Sequence, residues 1–417
     1  MALGREIYNF LLAGSRAYAK WDLAVSLSII RNRRRLLFLL ALASPILLVC
    51  LSEAASGRAM LGGHSAYAPA FYSLPIFLGS IAIGVAAGLI TGCIGAGGGF
   101  IITPALMALG VKGILAVGTD LFHIFAKAIM GTSIHRKLGN VSIPLALAFL
   151  IGSIGGTFIG GALTKSIYDA NPLFSEMFIS SIYALLLGFL GFYALADFLR
   201  STRGRQAESA APPPPGNLPQ RVQGIKIPPM IGFDGGSSGE GRQISAWLVA
   251  FGGIFVGFLA AIMGVGGGFV TFPMFVYVFG VSSMTTVGTD IFQIIFTAGF
   301  AAIGQYAIYG YVFYTLAIGM LLGSLLGIQI GALTTKAVNP AHIRGFYALS
   351  ILAGFINRAS TLPGKLVQLE YISLPHWLTS WLETGGNVIF WVVVAFFGFW
   401  VVGKFAGNVG SLRSKSC

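Results

Sequence analysis

Long apolar runs separated by short polar breaks fill most of this chain. In the first half they lie at about residues 36–51, 72–92, 100–110, 114–134, 141–164 and 176–199. In the second half they lie at about residues 245–263, 269–280, 285–307, 311–334, 342–357 and 387–403. Helical runs of about 20 apolar residues are long enough to cross a bilayer. The pattern predicts an all-α polytopic membrane protein with roughly 8–12 membrane segments.

Composition supports the same class. Of the 417 residues, 56% are hydrophobic and only 9% are charged, whereas a globular domain carries about 25% charged residues. The net charge is +13, but the basic residues cluster beside apolar runs, which favours a role in membrane orientation over nucleic-acid binding. Cys50, Cys93 and Cys417 form neither a disulfide framework nor a zinc pattern.

The polar breaks divide the chain into six parts. Residues 1–35 are a basic amphipathic segment, and residues 36–71 hold a first transmembrane helix and an outer loop. We expect that helix to be retained, because the basic region before it is longer than that of a cleaved signal peptide. Two apolar blocks, 72–199 and 244–357, flank a Pro- and Gly-rich stretch, 200–243, which predicts a flexible linker. Residues 358–417 are expected to form an outer loop, a last transmembrane helix and a tail.

Basic residues predict the orientation. The N-terminus, Arg136–Lys137, the linker and the tail are all basic, so we expect each of them to be cytoplasmic. Alternate threading of the segments satisfies all four placements. It makes the first block begin outside and the second begin inside, so the blocks are expected to be inverted-topology repeats.

The two blocks also match in sequence. Landmarks recur in the same order at nearly the same spacing: Gly95–Phe100 with Gly264–Phe269, Pro104 with Pro273, Val117–Asp120 with Val287–Asp290, and Gly161–Thr164 with Gly331–Thr334. Chance similarity between apolar helices does not produce this order. Internal repeats of this kind are a common plan of secondary transporters, whose substrate sites lie at the repeat interface.

Each glycine-rich loop precedes a helix that is too short to span. Phe100–Gly110 is about 11 residues, or roughly 16 Å of helix, against about 30 Å of hydrocarbon. The sequence therefore predicts two half-helices, re-entrant or part of broken helices. A glycine loop that opens a helix is a natural anion site; close helix packing is the alternative. The candidate substrate-binding glycines are Gly95, Gly97, Gly98 and Gly99, and Gly264, Gly266, Gly267 and Gly268.

Polar residues follow each half-helix. Asp120, His123 and Lys127 share one helix face, and Asp290 and Gln293 occupy the equivalent face in the second block. Intramembrane carboxylates are usually functional, but an N-cap following Gly-Thr is the competing explanation for both aspartates. Lys127 either attracts an anion or forms a structural ion pair, and His123 is a candidate for titration near neutral pH. Thr119 and Thr289 are further candidates for substrate binding.

These motifs resemble the TauE/SafE family of sulfite and organosulfonate transporters. The resemblance rests on the paired glycine loops, each followed by Pro and Gly-Thr, and covers about residues 72–403. It implies movement of a small sulfur-containing anion, such as sulfite or sulfoacetate, across the bacterial inner membrane. In the family the position after Gly-Thr is commonly Ser or Asn, whereas here it is Asp120 and Asp290. A carboxylate repels an anion unless it is protonated or paired, so these residues are expected to carry coupling protons or to act as caps.

The sequence thus predicts a secondary transporter that works by alternating access. A passive anion channel and an intramembrane aspartyl protease are the alternatives; the symmetric placement of the two aspartates favours transport over a division of acid and base roles. A small anion and the lipid bilayer are the expected partners. No enzyme activity, metal, cofactor or nucleic acid is expected, and the sequence does not define an oligomeric state.

Overall fold

The computed structural model describes residues 74–94, 98–137, 141–203, 217–233, 242–335, 338 and 340–414. The predicted segments 1–35 and 36–71 lie outside these residues, as do Gly95 and Gly97. The first repeat consists of α1 (Leu74–Ile94), α2 (Gly99–Ala108), α3 (Gly113–Lys137), α4 (Ile143–Ala170) and α5 (Pro172–Arg203).

The second repeat has the same order of elements. It consists of α7 (Ala246–Met263), α8 (Gly268–Pro273, continued by a π-helical turn Met274–Val278), α9 (Ser283–Phe300, continued by Ala301–Tyr309), α10 (Tyr314–Thr335) and α11 (Pro340–Gln368). A last helix, α12 (His376–Ser414), follows. Six of the described helices are long and apolar enough to cross a membrane, while α2 and α8 with its turn are apolar but short. The predicted polytopic all-α class is confirmed.

Two parallel helix pairs join the repeats, and glycine makes both possible. On α4, Gly152, Gly156 and Gly160 face successive turns of α7, and a Cβ built on Gly160 would lie 2.6 Å from the Phe258 carbonyl oxygen. On α10, Gly319, Gly323, Gly327 and Gly331 face successive turns of α1 in the same way. Membrane helices gain little from apolar burial alone, so close backbone contact through small residues drives their association.

The equivalent helices of the two repeats run antiparallel. A Cβ on Gly188 of α5 lies 3.1 Å from the Phe355 ring, and one on Gly345 of α11 lies 3.0 Å from Phe198. Likewise, Gly118 of α3 approaches Tyr306, and Gly299 of α9 approaches Phe125. A twofold axis that reverses the direction of equivalent helices lies across them, in the plane of the membrane. The repeats are therefore inverted.

Both short helices are re-entrant. Gly98, before α2, packs against Ala87 and Thr91 near the end of α1, whereas Leu109, after α2, contacts Gly79 near the start of α1. α2 thus returns along α1. In the second repeat, Gly267 packs on Val256 and Ala260 and Phe279 on Gly252, so α8 returns along α7. These contacts decide between the two forms of half-helix that the sequence allows.

Helix starts follow local capping chemistry. The Asn171 side chain accepts hydrogen bonds from the N–H groups of Leu173 and Phe174 at 2.9 and 3.1 Å, so α5 begins at once after α4. Ser282 accepts the N–H of Thr285 at 3.4 Å and caps α9. Because the turn at Asn171 reverses the chain, α4 and α5 are antiparallel neighbours.

We call the side where residues 204–241 join α5 to α7 the linker face, and the opposite side the far face.

The linker is more ordered than its composition predicts. A short helix, α6 (Asn217–Gln223), precedes an antiparallel hairpin of β1 (Met230–Phe233) and β2 (Arg242–Ser245). Ile231, Phe233 and Ile244 are buried in one cluster with Phe275 and Phe279 from the second half-helix segment. Gln223 and Arg242 donate side-chain hydrogen bonds to the carbonyls of Phe279 and Gly280 at 2.8 and 2.6 Å. We call α6, β1 and β2 together the cap; it covers the C-terminal end of the α8 segment.

Residues 358–386 are also more regular than the predicted outer loop. α11 continues to Gln368 and α12 begins at His376, so only residues 369–375 connect them. Gly386 of α12 meets Ser360 of α11, and this small-residue contact lets the two helices pack antiparallel. Both helices carry polar side chains here, so the pattern of apolar runs does not predict that this stretch is helical.

In the parallel helix pairs, adding a methyl group is expected to affect stability at a glycine that faces the partner helix and not at a glycine that faces away from it. In Gly156→Ala the new Cβ collides with the Ile254 carbonyl oxygen, whereas at Gly155 it meets nothing within 4 Å. We expect Gly156→Ala to destabilise the protein by about 1–3 kcal/mol through overpacking and Gly155→Ala to have little effect. Thermal unfolding in detergent measures both; equal midpoints would contradict the assigned interface.

Candidate functional site

The tips of the two half-helices meet inside the protein. The rings of Phe100 and Phe269, at the starts of α2 and α8, stack with centroids 5.8 Å apart. A Cβ on Gly99 would lie 3.1 Å from Val265 Cα and 2.9 Å from Ile124 Cδ1. The second loop touches the same isoleucine through Gly266. The starts of the two half-helices therefore converge, and the contact between them is apolar and closely packed.

Glycine is required at both caps for two reasons. Gly98 and Gly267 have φ values of 73° and 90°, in the left-handed region, where other residues are strained. A side chain on Gly98 would also strike Thr91 Oγ1 at 2.6 Å. As glycines, the two caps have no side chain that could accept hydrogen bonds from the first turn. Ile101, Val270 and Thr271 donate to the cap carbonyls, so the N–H groups that precede them in each half-helix are the ones left for water or an anion. Close packing and anion binding are thus compatible explanations of these glycines.

The structure excludes the N-cap explanation for the aspartates. α3 begins at Gly113 and α9 begins at Ser283, so Asp120 and Asp290 both lie two turns inside their helices. Each helix starts well before the Gly-Thr-Asp of its repeat, so this motif does not mark a helix start. Both side chains are buried and point toward the half-helix of their own repeat.

Asp120 belongs to a polar chain that crosses between the repeats. Thr103 of α2 donates a hydrogen bond to Asp120 Oδ2 at 3.0 Å. His123 Nδ1 lies 3.8 Å from Asp120 Oδ1, and its Nε2 lies 3.1 Å from Ser324 Oγ on α10. Within the part of the chain that the structure describes, Asp120 Oδ1 and His123 Nδ1 have no hydrogen-bond partner. A proton or a small shift of either ring or carboxyl would join these two atoms.

Asp290 forms the corresponding chain with neutral partners. Gln293 donates to Asp290 Oδ1 at 2.9 Å, and Thr297 donates to Gln293 Oε1 at 2.7 Å. Thr297 Oγ1 then lies 2.8 Å from Ser153 Oγ on α4. The first chain therefore contains a titratable imidazole at the position where the second has an amide.

Sequence reasoning missed the two serines that end these chains. Ser153 and Ser324 each follow a glycine that packs against the partner helix, and each precedes the matched Gly-Ala-Leu-Thr. The first repeat has one extra residue between Ser153 and Gly161 compared with Ser324 and Gly331, so the two serines do not align when the Gly-Ala-Leu-Thr motifs are matched. Aligning the Gly-Ser pairs shows that the two serines are equivalent.

Lys127 lies beside the first half-helix. Its Nζ is 3.5 Å from Thr91 Oγ1, which in turn approaches Gly98 at the helix start. An ammonium and the positive end of a helix repel each other and together attract an anion. Lys127 therefore adds a positive charge beside the start of the first half-helix, whereas the equivalent position in the second repeat is the neutral Thr297.

Thr119 and Thr289 make bonds of a structural kind. Thr119 Oγ1 accepts the N–H of Phe313 at 2.9 Å, just before α10. Thr289 Oγ1 accepts the N–H of Ser142 at 3.0 Å, just before α4. Each threonine thus holds the start of the other repeat's fourth helix. Their assignment to substrate binding stays a prediction, because both hydroxyl oxygens already accept backbone hydrogen bonds between the repeats.

This architecture defines a class: an inverted-repeat membrane protein in which two re-entrant helices meet near the centre. The sequence profile described as "Sulfite exporter TauE/SafE" matches residues 80–358, and the chain belongs to that family. It is a membrane transporter of multi-pass architecture.

Curated relatives agree with this assignment. The probable membrane transporter protein YjnA of Bacillus subtilis is 26% identical over 275 residues, covering 65% of this chain and 95% of the relative. YunE of the same organism is 26% identical over 272 residues, covering 63% and 90%. The probable membrane transporter protein MJ0441 of Methanocaldococcus jannaschii is 23% identical over 283 residues, covering 63% and 88%. No solved structure matches the chain.

The threonine bonds generate a test of their role. We expect Thr119→Val and Thr289→Val each to destabilise the protein by about 0.5–1.5 kcal/mol, because a backbone N–H loses its acceptor. Thr→Ser at the same positions keeps the hydroxyl and should restore most of the stability. Unfolding in detergent and the substrate KM are measured together; a large rise in KM without a change in stability would instead place these hydroxyls on the substrate.

Proposed function

We propose that this protein moves a small sulfur-containing oxyanion, such as sulfite, sulfoacetate or a related sulfonate, by proton-coupled alternating access. The observation that carries the proposal is the meeting of two half-helix N-termini with glycine caps, the first of which lies close to Lys127. Helix N-termini and an ammonium favour an anion over a cation. The sulfur chemistry comes from the family description.

Proton coupling is assigned to the Asp120–His123 pair. An ionised carboxylate in an apolar interior is costly unless it is paired or protonated, so the charge of Asp120 is expected to change as an anion approaches or leaves Lys127. His123 lies between Asp120 and Ser324, and Ser324 belongs to α10 of the other repeat. This places a titratable group where the two repeats contact each other and where alternating access requires movement.

The protease alternative finds no support in the geometry. Asp120 bonds to Thr103, and Asp290 bonds to Gln293. The two carboxylates thus belong to separate networks, whereas a pair of catalytic carboxylates acts on one bond. A passive channel differs from the proposal only in coupling, and the transport assay below separates the two.

Orientation follows from the helix directions. The ends of α3 and α12 lie at the linker face, because each helix runs toward the side from which the linker leaves α5. The described ends of α3, α5 and α12 therefore lie on one side, which supports the orientation that the charge pattern predicts. We assign that side to the cytoplasm and the membrane to the bacterial inner membrane.

Transport by purified protein in liposomes tests the function. We expect flux of sulfite and short sulfonates, driven against their gradient by an imposed pH difference, and no comparable flux of K⁺. Lys127→Gln should reduce anion flux at least tenfold, with Lys127→Arg as the charge-retaining control. Absence of flux for every small anion, with monodisperse protein, would overturn the proposal; downhill flux that ignores the pH difference would favour a channel.

Coupling has its own test. Asp120→Asn and His123→Gln should abolish pH-driven accumulation, because the proton carrier is lost, yet retain exchange of labelled for unlabelled anion. His123→Gln is the milder change, since it reproduces the amide found at Gln293 in the second repeat. Accumulation at the wild-type level in both variants would contradict the assignment.

A further inference from the structure

A polar cavity of about 260 Å³ lies at the far face, away from the half-helix tips. It is bounded by the C-terminal end of α2, the start of α5, the second half of α11 and the first half of α12. Its charged lining residues are Glu176, Arg358, Lys365 and Glu383. Since liquid water occupies about 30 Å³ per molecule, the cavity has room for a small organic anion and several waters.

Arg358 is held rigidly in the cavity wall. Its side chain is 2% exposed, and its Nε donates to Asn357 Oδ1 at 2.7 Å. The Asn357 amide is fixed in turn by a 2.6 Å bond to Asn387 Oδ1 on α12. Among the described residues, no acceptor is recorded for the two terminal Nη groups, and Arg358 lines the cavity. Neither Nη is among the fully buried atoms without a partner, so both face the cavity, where water or a bound anion is the acceptor that a buried guanidinium requires.

Of the two cations that line the cavity, Arg358 makes no ion pair within the described part of the chain, although the carboxylates of Glu383 and Glu176 lie near enough to stabilise its charge. Lys365 is paired with Glu176, and this ion pair joins α11 to α5. Glu383 is exposed on α12, where it opposes entry of negative charge. A guanidinium fork matches a planar or tetrahedral oxyanion in two-point contact. A nearby carboxylate disfavours dianions, so the lining suits a monoanion.

We propose that this cavity is a second anion site, at which Arg358 binds the sulfonate, sulfite or carboxylate group of a monoanion before it reaches the half-helix tips. As an entry site it rests on the proposed function. Its position fits, because Met107 and Ala108 at its wall belong to α2, whose other end is the candidate loop. The buried Tyr183 of α5 donates a hydrogen bond to the carbonyl of Met263, just before the second glycine loop, so the helix that lines the cavity also contacts the region of the tips.

Kinetics of sulfite exchange in liposomes test the entry site. Arg358→Gln should raise the KM for sulfite at least tenfold while the maximal rate changes less than about twofold, because the tips remain intact. Arg358→Lys keeps the charge without the fork and should fall between. Glu383→Gln should lower the KM by roughly twofold to threefold, since a repelling charge is removed. This opposite sign is not expected from variants that merely loosen the fold.

Binding separates this inference from the proposed function. Millimolar sulfite and ethanesulfonate should raise the unfolding temperature of the detergent-solubilised wild type by more than that of Arg358→Gln, in which only the site at the tips remains. Arg358-dependent binding without any flux would sustain the site and overturn the transport proposal. Flux with an unchanged KM in both Arg358 variants would overturn the site and leave the transport proposal standing. If Arg358→Gln fails to fold, an unchanged or raised KM in Glu383→Gln overturns the site.

Discussion

Backbone contact between glycine-faced parallel helices is the constraint on which the rest of this structure depends. α4 lies against α7, and α1 lies against α10, with successive glycines of one helix facing backbone atoms of the other. Each pair joins a helix of one repeat to a helix of the other, so neither repeat is complete alone. Because the pairs are so close, Ser324 reaches His123 and Ser153 reaches Thr297. The polar chains exist only where the two repeats are held at this separation.

The two repeats share a plan but differ at the ends of their half-helices. In the second repeat the cap covers the end of the α8 segment, and Gln223 and Arg242 bond to its last carbonyls. In the first repeat the equivalent end, near Gly110, borders the far-face cavity. Within the described residues, the end of one half-helix is covered at the linker face, and the end of the other borders a cavity at the far face. Because the two repeats are inverted copies, a state in which the linker face is open and the far face is covered is also possible. The difference between the cap and the cavity is therefore a natural basis for the two states of alternating access.

Much of the architecture could be predicted because burial in a membrane constrains the sequence in simple ways. The lengths of the apolar runs predicted the helices, the repeated glycine loops predicted the half-helices, and the distribution of basic residues predicted the inverted topology. The position of Asp120 within α3 could not be found, since a Gly-Thr-Asp motif looks the same at a helix start and two turns inside. The cap could not be found either, because its burial depends on Phe275 and Phe279 from a distant segment. Arg358 fell in a stretch predicted as a loop, and only the packing of α11 against α12 reveals it as a buried group.

The most direct measurement of the central claim is anomalous diffraction from crystals soaked or grown with selenite, a heavy-atom analogue of sulfite. The account predicts a selenium peak within hydrogen-bonding distance of the first-turn N–H groups of α2 or α8 and near Lys127 Nζ. It also predicts that the Phe100 and Phe269 rings move apart from their 5.8 Å separation, since the tips now pack without room for an anion. Selenite bound only at places other than the tips and the Arg358 cavity, with the two tips still in contact, would contradict the account.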